Sequence, residues 1–149
     1  MLGKIEDIKI GKASENVVIE LLRTITWDVY NTDTINKFDY FDFRSDIYKI
    51  DFELKSRNIY KGQYPTIFFG ENKLIEGRLR KQNGRSKRII YLFRFNKKKD
   101  SSKKAVYFWE DDGSDLQIIK CGNFQRGEKA KPLVNLPIKL LKKFKYLTV

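Results

Sequence analysis

The sequence predicts an α/β protein: one domain over residues 1–149, with a single mixed central β-sheet flanked by helices. Three observations predict it. Three segments carry apolar residues at helical spacing, six or more short runs are rich in β-branched and aromatic residues, and the two kinds interleave in the order α-β-β-β-α-β-β-β-α. A chain of 149 residues with 41% hydrophobic and 14% aromatic content is long and apolar enough to bury a core without a staple, so the 34% charged content describes a wetted surface.

From Lys12 to Ile25, KASENVVIELLRTI places apolar residues at 17, 18, 21, 22 and 25, which predicts the first helix. WDVYNT (27–32) reads as a short strand, and INKFDYFDFRSDIYKIDFELKSR (35–57) as two longer strands about a turn near Ser45-Asp46. NIYKGQYP, with Gly62 and Pro65, is a loop, and TIFF (66–69) a short extended piece. ENKLIEGRLRKQN, with Leu74, Ile75, Arg78 and Leu79 at helical offsets, predicts a second, basic helix. RIIYLFRF (88–95) and AVYFWE (105–110) predict strands on either side of NKKKDSSKK, and LQIIKC (116–121) a further strand after the DDGSD turn. LPIKLLKKFKYL predicts a short amphipathic helix from near Pro137 to the end.

Composition excludes several kinds of chemistry. The chain has no histidine, which removes Ser-His-Asp and Cys-His catalysis and most zinc sites and leaves carboxylates, lysines and tyrosines. A single cysteine, Cys121, rules out an internal disulfide, and no window suits a signal peptide or a membrane span; an intracellular location is expected. The net charge of +12 is segmental: residues 73–104 hold 13 Lys/Arg against 2 Asp/Glu, whereas residues 1–72 hold 10 against 12. Such a surplus suits a polyanion, and nucleic acid is the commonest in a cell. Lys12, Arg57, Lys73, Arg78, Arg80, Lys81, Arg85, Lys87, Arg88, Lys97, Lys98 and Lys99 are the candidate contacts.

Against that background, Phe38 to Arg57 concentrates four aspartates and a glutamate. In YKIDFELK the positions Tyr48, Ile50, Phe52 and Leu54 are apolar and Lys49, Asp51, Glu53 and Lys55 share the other strand face. A carboxylate and an ammonium one pleat apart is what a metal-dependent phosphodiesterase needs, the first to hold a divalent cation and the second to orient a water and offset phosphate charge. A solvated face with cross-strand ion pairs would show the same pattern. Asp39 and Asp42 compete as the partner acid. A three-residue loop over Ser45, Asp46 and Ile47 pairs Arg44 with Tyr48 and sets Asp39 opposite Glu53, with Cα atoms about 5 Å apart. The same register puts Asp42 opposite Ile50, roughly 10 Å along the strand from Glu53, and a two-residue turn puts it opposite Lys49, roughly 13 Å away. Asp39 is therefore the expected ligand and Asp42 the poorer one. On the first helix, Glu15 falls within the arc of Val18, Ile19, Leu22 and Ile25, so it faces inward, where a carboxylate requires a partner or a cation.

With GKASENVVIELL on a helix, Asp39 opening one strand and Glu53-Leu54-Lys55-Ser56-Arg57 on the next, the chain resembles the PD-(D/E)XK nuclease superfamily, and within it the Holliday junction resolvases of archaeal and viral type. The likeness covers residues 11–57, with Phe38 where the name-giving proline would stand. It implies a restriction-endonuclease-like core, Mg2+ or Mn2+ held by Asp39 and Glu53, Lys55 assisting the attacking water, and Glu15 completing the site. It also implies a DNA substrate, most naturally a branched four-way junction, and a homodimer, because two symmetric cuts need two sites. A general, restriction-type or repair nuclease on the same core is the alternative among enzymes. Outside the enzymes stand a DNA-binding module with structural carboxylates, and an RNA-binding protein stacking bases on Tyr60, Tyr64, Tyr91, Phe93, Phe95 and Trp109. The strands RIIYLFRF and VYFW are more simply core.

Overall fold

A computed structural model describes residues 3–97, 105–121 and 130–149. Helix α1 (Gly3–Arg23) is followed by β1 (Tyr30–Asn31), a 3-10 turn at Thr32–Thr34, β2 (Phe43–Ser45) and β3 (Ile50–Arg57). Strand β4 (Thr66–Gly70) leads directly into α2 (Glu71–Gln82), and β5 (Arg88–Phe95), β6 (Val106–Glu110), β7 (Gln117–Cys121), β8 (Lys131–Pro137) and β9 (Lys142–Lys143) follow. The protein is mixed α/β, as expected, but among the described residues the strands form two sheets and not one. Six lie in the order β1-β2-β3-β5-β6-β9, and three in the order β4-β8-β7.

The larger sheet is mixed. β1, β2 and β3 form an antiparallel meander, β5 runs parallel to β3 after the excursion through β4 and α2, and β6 returns antiparallel to β5. A parallel neighbour needs a crossover long enough to reverse the chain twice, which is what β4 and α2 supply. Ile50, Phe52 and Leu54 of β3, with Ile90 and Leu92 of β5, face α1 through Val18, Ile19 and Leu22. On the opposite face Ile89, Tyr91 and Phe93 meet Leu74 of α2 and Ile67, Phe69, Val134 and Leu136 of the smaller sheet. β5 is thus covered on both sides, which explains its nearly unbroken apolar run. α2 approaches β5 closely at Gly77, where an added Cβ would stand 3.0 Å from Ile89 Cγ2.

The smaller sheet draws in TIFF and KPLVNLP, whose last two residues open the segment expected as the C-terminal helix. β8 is its middle strand, with Pro132 and Pro137 near the ends, where a missing N–H costs least. The expected C-terminal helix does not form. Pro137 closes β8, 3-10 turns occupy Ile138–Leu140 and Phe144–Tyr146, and β9 between them pairs with β6. Leu141 joins the core under the smaller sheet while Leu147 joins the core under α1, so the tail crosses the sheet edge to reach both faces. The first helix begins earlier than its periodicity showed, and the two longer strands predicted over 35–57 are shorter: residues 36–42 lie outside any strand, and 27–32 contributes only β1. Among the described residues no helix is long and apolar enough to cross a membrane.

The odd face of β3 is the exception to this apolar packing. Asp51 is 0% exposed, and its carboxylate is met by Arg44 Nη1 at 2.9 Å, Arg80 Nη1 at 3.1 Å and Ser86 Oγ at 2.5 Å. Arg80, on α2, also binds Glu76 at 3.0 Å and Asp39 at 3.1 Å, so one buried guanidinium ties the helix, β3 and the segment before β2 together. Removing one member of a buried ion cluster leaves the others charged and unpaired. Arg80→Ala is expected to cost about 3–5 kcal/mol in urea unfolding, against less than about 1 kcal/mol for Arg23→Ala at the exposed Arg23–Glu20 pair; equal small losses would show that the cluster does not hold the layers together.

Candidate active site

The turn between β2 and β3 decides which acids meet. It spans four residues, Asp46–Lys49, and Lys49 adopts φ 54°, a left-handed conformation uncommon outside glycine and asparagine. Asp28 holds the turn open by accepting hydrogen bonds from Ser45 Oγ at 2.8 Å and the Ile47 amide at 3.0 Å, and Ser45 Oγ in turn accepts from the Tyr48 amide at 3.3 Å. With two residues more than a tight hairpin, Phe43 pairs with Phe52 and Ser45 with Ile50. Extending that register by one residue sets Asp42 opposite Glu53.

The hydrogen bonds fix Asp42 there. Its amide donates to Phe52 O at 2.9 Å, its Oδ2 accepts from the Leu54 amide at 2.8 Å, and its carbonyl accepts from the Thr32 amide at 3.0 Å. The expected pairing of Asp39 with Glu53 is therefore corrected: the loop is neither two nor three residues long. Asp39 turns away to Arg80 and to Arg85 at 3.8 Å, accepts from the Phe41 amide, and lines a separate cavity with Arg44 and Asp46.

Glu15, Asp42, Glu53 and Lys55 instead line one cleft of about 520 Å³, together with Ser56, Arg57, Asn58, Lys73 and Asn96. Glu53 is 2% exposed. Lys73 Nζ stands 3.1 Å and Lys55 Nζ 3.9 Å from its Oε2, neither on the line of a hydrogen bond, so that buried oxygen has charge contacts without a donor. Burial above all, then the hydrogen bond its acid form makes to Asp42, pushes Glu53 up to about 8 against the opposing pull of Lys55 and Lys73. Glu15 is raised as well, by burial and then by the charge of Asp42, with Lys12 at 3.6 Å pulling the other way.

Lys73 is a functional candidate of a kind the sequence did not reveal. It reads as one more cation of the basic helix, yet the first turn of α2 delivers it into the acid cleft, where it also donates to Tyr40 O. Tyr91 OH, donating to Lys73 O at 3.0 Å, fixes that turn from below. Its only sequence signal is its place directly after β4, and the path of β4 is set by the smaller sheet.

The other expected nucleic-acid contacts divide. Arg80 is 3% exposed and held by three carboxylates, so it is corrected to a structural residue. Arg78 forks onto Asp111 at 3.1 and 3.2 Å, Lys81 donates to Asp111 O, and Arg88 binds Glu110 at 2.6 and 2.9 Å, all on the β6 side of the sheet. Lys12, Arg85, Lys87 and Lys97 are exposed, Arg57 lines the cleft, and Lys98 and Lys99 lie outside the described residues. Of the aromatics considered for stacking, Tyr91, Phe93, Phe95 and Trp109 are buried in the core, and Tyr64 is exposed.

Hard carboxylate oxygens, one of them buried and lacking a donor, fit a divalent cation shared by Asp42 and Glu53. A third acid does not close on the same point: among the described residues no group of three or more His, Cys, Asp or Glu side chains is assembled as a metal site. Glu15 therefore stands at the rim. No protein family, curated protein or solved structure matches this chain.

Because Glu53 binds its proton more tightly folded than at its ordinary value of 4.5, its contribution to stability is greatest below that value and is lost as pH rises toward about 8. Denaturant unfolding in a chelator between about pH 5 and 9 is expected to show this decline, and Glu53→Gln to flatten it. An unchanged slope in Glu53→Gln would assign the dependence to other groups.

Proposed function

We propose that this protein is a divalent-cation-dependent endonuclease that hydrolyses phosphodiester bonds in DNA, with branched DNA as its substrate. The observation that carries the reading is the convergence of Glu15, Asp42, Glu53 and Lys55 on one cleft from α1, the entry to β2, and β3. The likeness to the PD-(D/E)XK nucleases supports it with Asp42 in the place first given to Asp39. The topology also supports a restriction-endonuclease-like core, since a helix, an antiparallel meander, a crossover helix and a parallel strand occur in that order.

Asp42 and Glu53 would hold Mg2+ or Mn2+, which when bound polarises a phosphate oxygen and lowers the pKa of a water. Leu54 N–H fixes one oxygen of Asp42, on the residue that the register sets opposite Glu53. Lys55, on the same pleat face as Glu53, orients the water that attacks phosphorus and offsets the charge developing on the phosphate as the ester oxygen leaves. Lys73 compensates the acid pair and Glu15 bounds the cleft on the α1 side. One site cuts one strand, so symmetric resolution of a junction calls for a two-fold dimer.

One observation favours a second reading, a DNA-binding protein with structural carboxylates: the Lys73 ammonium already neutralises Glu53 at 3.1 Å. Incubation with Mg2+ of a four-way junction and a linear duplex of equal length separates the two. Cleavage of the junction ahead of the duplex is expected, with Asp42→Ala, Glu53→Ala and Lys55→Ala each lowering the rate by about 100-fold or more. Asp39→Ala is expected to keep activity in whatever fraction remains folded. Binding without cleavage would give the second reading, and an inactive Asp39→Ala beside an active Asp42→Ala would overturn the assignment of the acids.

A further inference from the structure

A second groove adjoins the acid cleft. It encloses about 540 Å³, shares Lys55 and Arg57 with the cleft as a common wall, and is bounded beyond them by Phe68–Gly70, Asn72 and Lys131–Leu133. The charged side chains of its lining are all cations: Lys55, Arg57 and Lys131. This distinguishes it from the acid cleft next door and from the cavity around Asp39, where both signs are present.

Arg57 is the unusual member. Most of the basic residues of α2 and β5 are matched by acids, as Arg78, Arg80 and Arg88 are, but among the described residues Arg57 has no carboxylate within salt-bridge distance. Its Nη2 donates to Phe68 O at 2.9 Å and its Nη1 to Ser56 O at 3.2 Å, which anchors the planar fork against β4 with no direct ion pair, only the charge of Glu53 acting from farther off. A guanidinium fork held in this way, with neighbouring ammonium groups, has the geometry to take a phosphate. Lys131 is exposed at the start of β8 and makes no ion pair among the described residues.

We propose that this groove is a phosphate subsite, holding on Arg57 and Lys131 an internal phosphodiester of the same strand that the acid cleft cuts. The proposal rests on the nuclease reading and deepens it. Because Lys55 and Arg57 belong to both cavities, the strand that leaves the acids enters the groove, and the subsite fixes the register in which the scissile phosphate meets Asp42 and Glu53. The smaller sheet thereby gains a role in substrate binding: β8 and β4 carry the far wall.

The test is a methylphosphonate scan. Junctions carrying a single neutral phosphonate, placed in turn at each position around the cut, are titrated by fluorescence anisotropy in a chelator with the full chain, its Lys131→Ala variant and its Arg57→Lys variant. For the unaltered chain, one flanking internal position is expected to weaken binding by about fivefold. Lys131→Ala is expected to weaken binding to the unmodified junction by a similar factor, to lose sensitivity at that one position, and to reduce the salt slope by about one. Arg57→Lys keeps the charge and is expected to lose part of the same positional effect. Sensitivity at a strand-terminal phosphate only, or a Lys131→Ala profile identical to that of the unaltered chain, would overturn the subsite. Failure of the nuclease reading shows separately, as an uncut junction in Mg2+ whatever the binding scan gives.

Discussion

Strand β3 is covered on both faces, and two of its side chains on one of those faces are carboxylates. Everything else about the site follows from how the protein accommodates them. A buried carboxylate needs a partner or a proton, and the two acids meet that requirement differently. Asp51 has Arg44, Arg80 and Ser86 around its Oδ2, so two guanidiniums match its charge although its Oδ1 lacks a donor, and it serves to lock α2 onto the sheet. Glu53, one pleat further, faces another acid, Asp42, with ammonium groups at its margin and an oxygen that no donor reaches. One position is a structural joint between guanidiniums, whereas the other brings two carboxyl groups face to face, an arrangement that a divalent cation could bridge.

The two carboxyl groups meet because of a turn. Asp28, from the segment between α1 and β1, accepts from Ser45 at the start of the Asp46–Lys49 loop and from Ile47 within it, and this sets the register of β2 against β3. A slip of one residue would turn the side chains of β2 to the opposite face and carry Asp42 away from Glu53. Asp39 lies on the far side, on Arg80 and Arg85. Two aspartates three residues apart thus take separate duties, one bracing the fold and one facing the cleft.

Much of the architecture was legible in local pattern. α2, β5, β6 and β7 are found where periodicity and β-branched runs place them, and the inward arc of α1 correctly brought Glu15 to the core side, because those signals depend on residues near one another in the chain. Segments whose fate depends on distant partners were not legible. KPLVNLP contains two prolines and becomes a strand only because β4 and β7 flank it. The tail has helical spacing, but its leucines serve cores on opposite faces of the sheet. In the site, Glu53 and Lys55 were readable from strand alternation. Asp42 was not, because the register hinged on a loop length that Asp28 determines from eighteen or so residues away. Lys73 resembled any lysine of a basic helix until β4 was seen to deliver it beside Glu53. The basic segment misled in a similar way: Arg78, Arg80 and Arg88 count toward net charge, yet acids hold each of them.

The central claim is that Asp42 and Glu53, and not Asp39, form the cation site. Calorimetric titration of the metal-free protein with Mn2+, without DNA, tests it most directly. Binding is predicted for the unaltered chain and for Asp39→Ala, and its loss for Asp42→Ala and Glu53→Ala, with all variants shown to be folded by circular dichroism. Undiminished Mn2+ binding in Asp42→Ala, or its loss in a folded Asp39→Ala, would contradict the account.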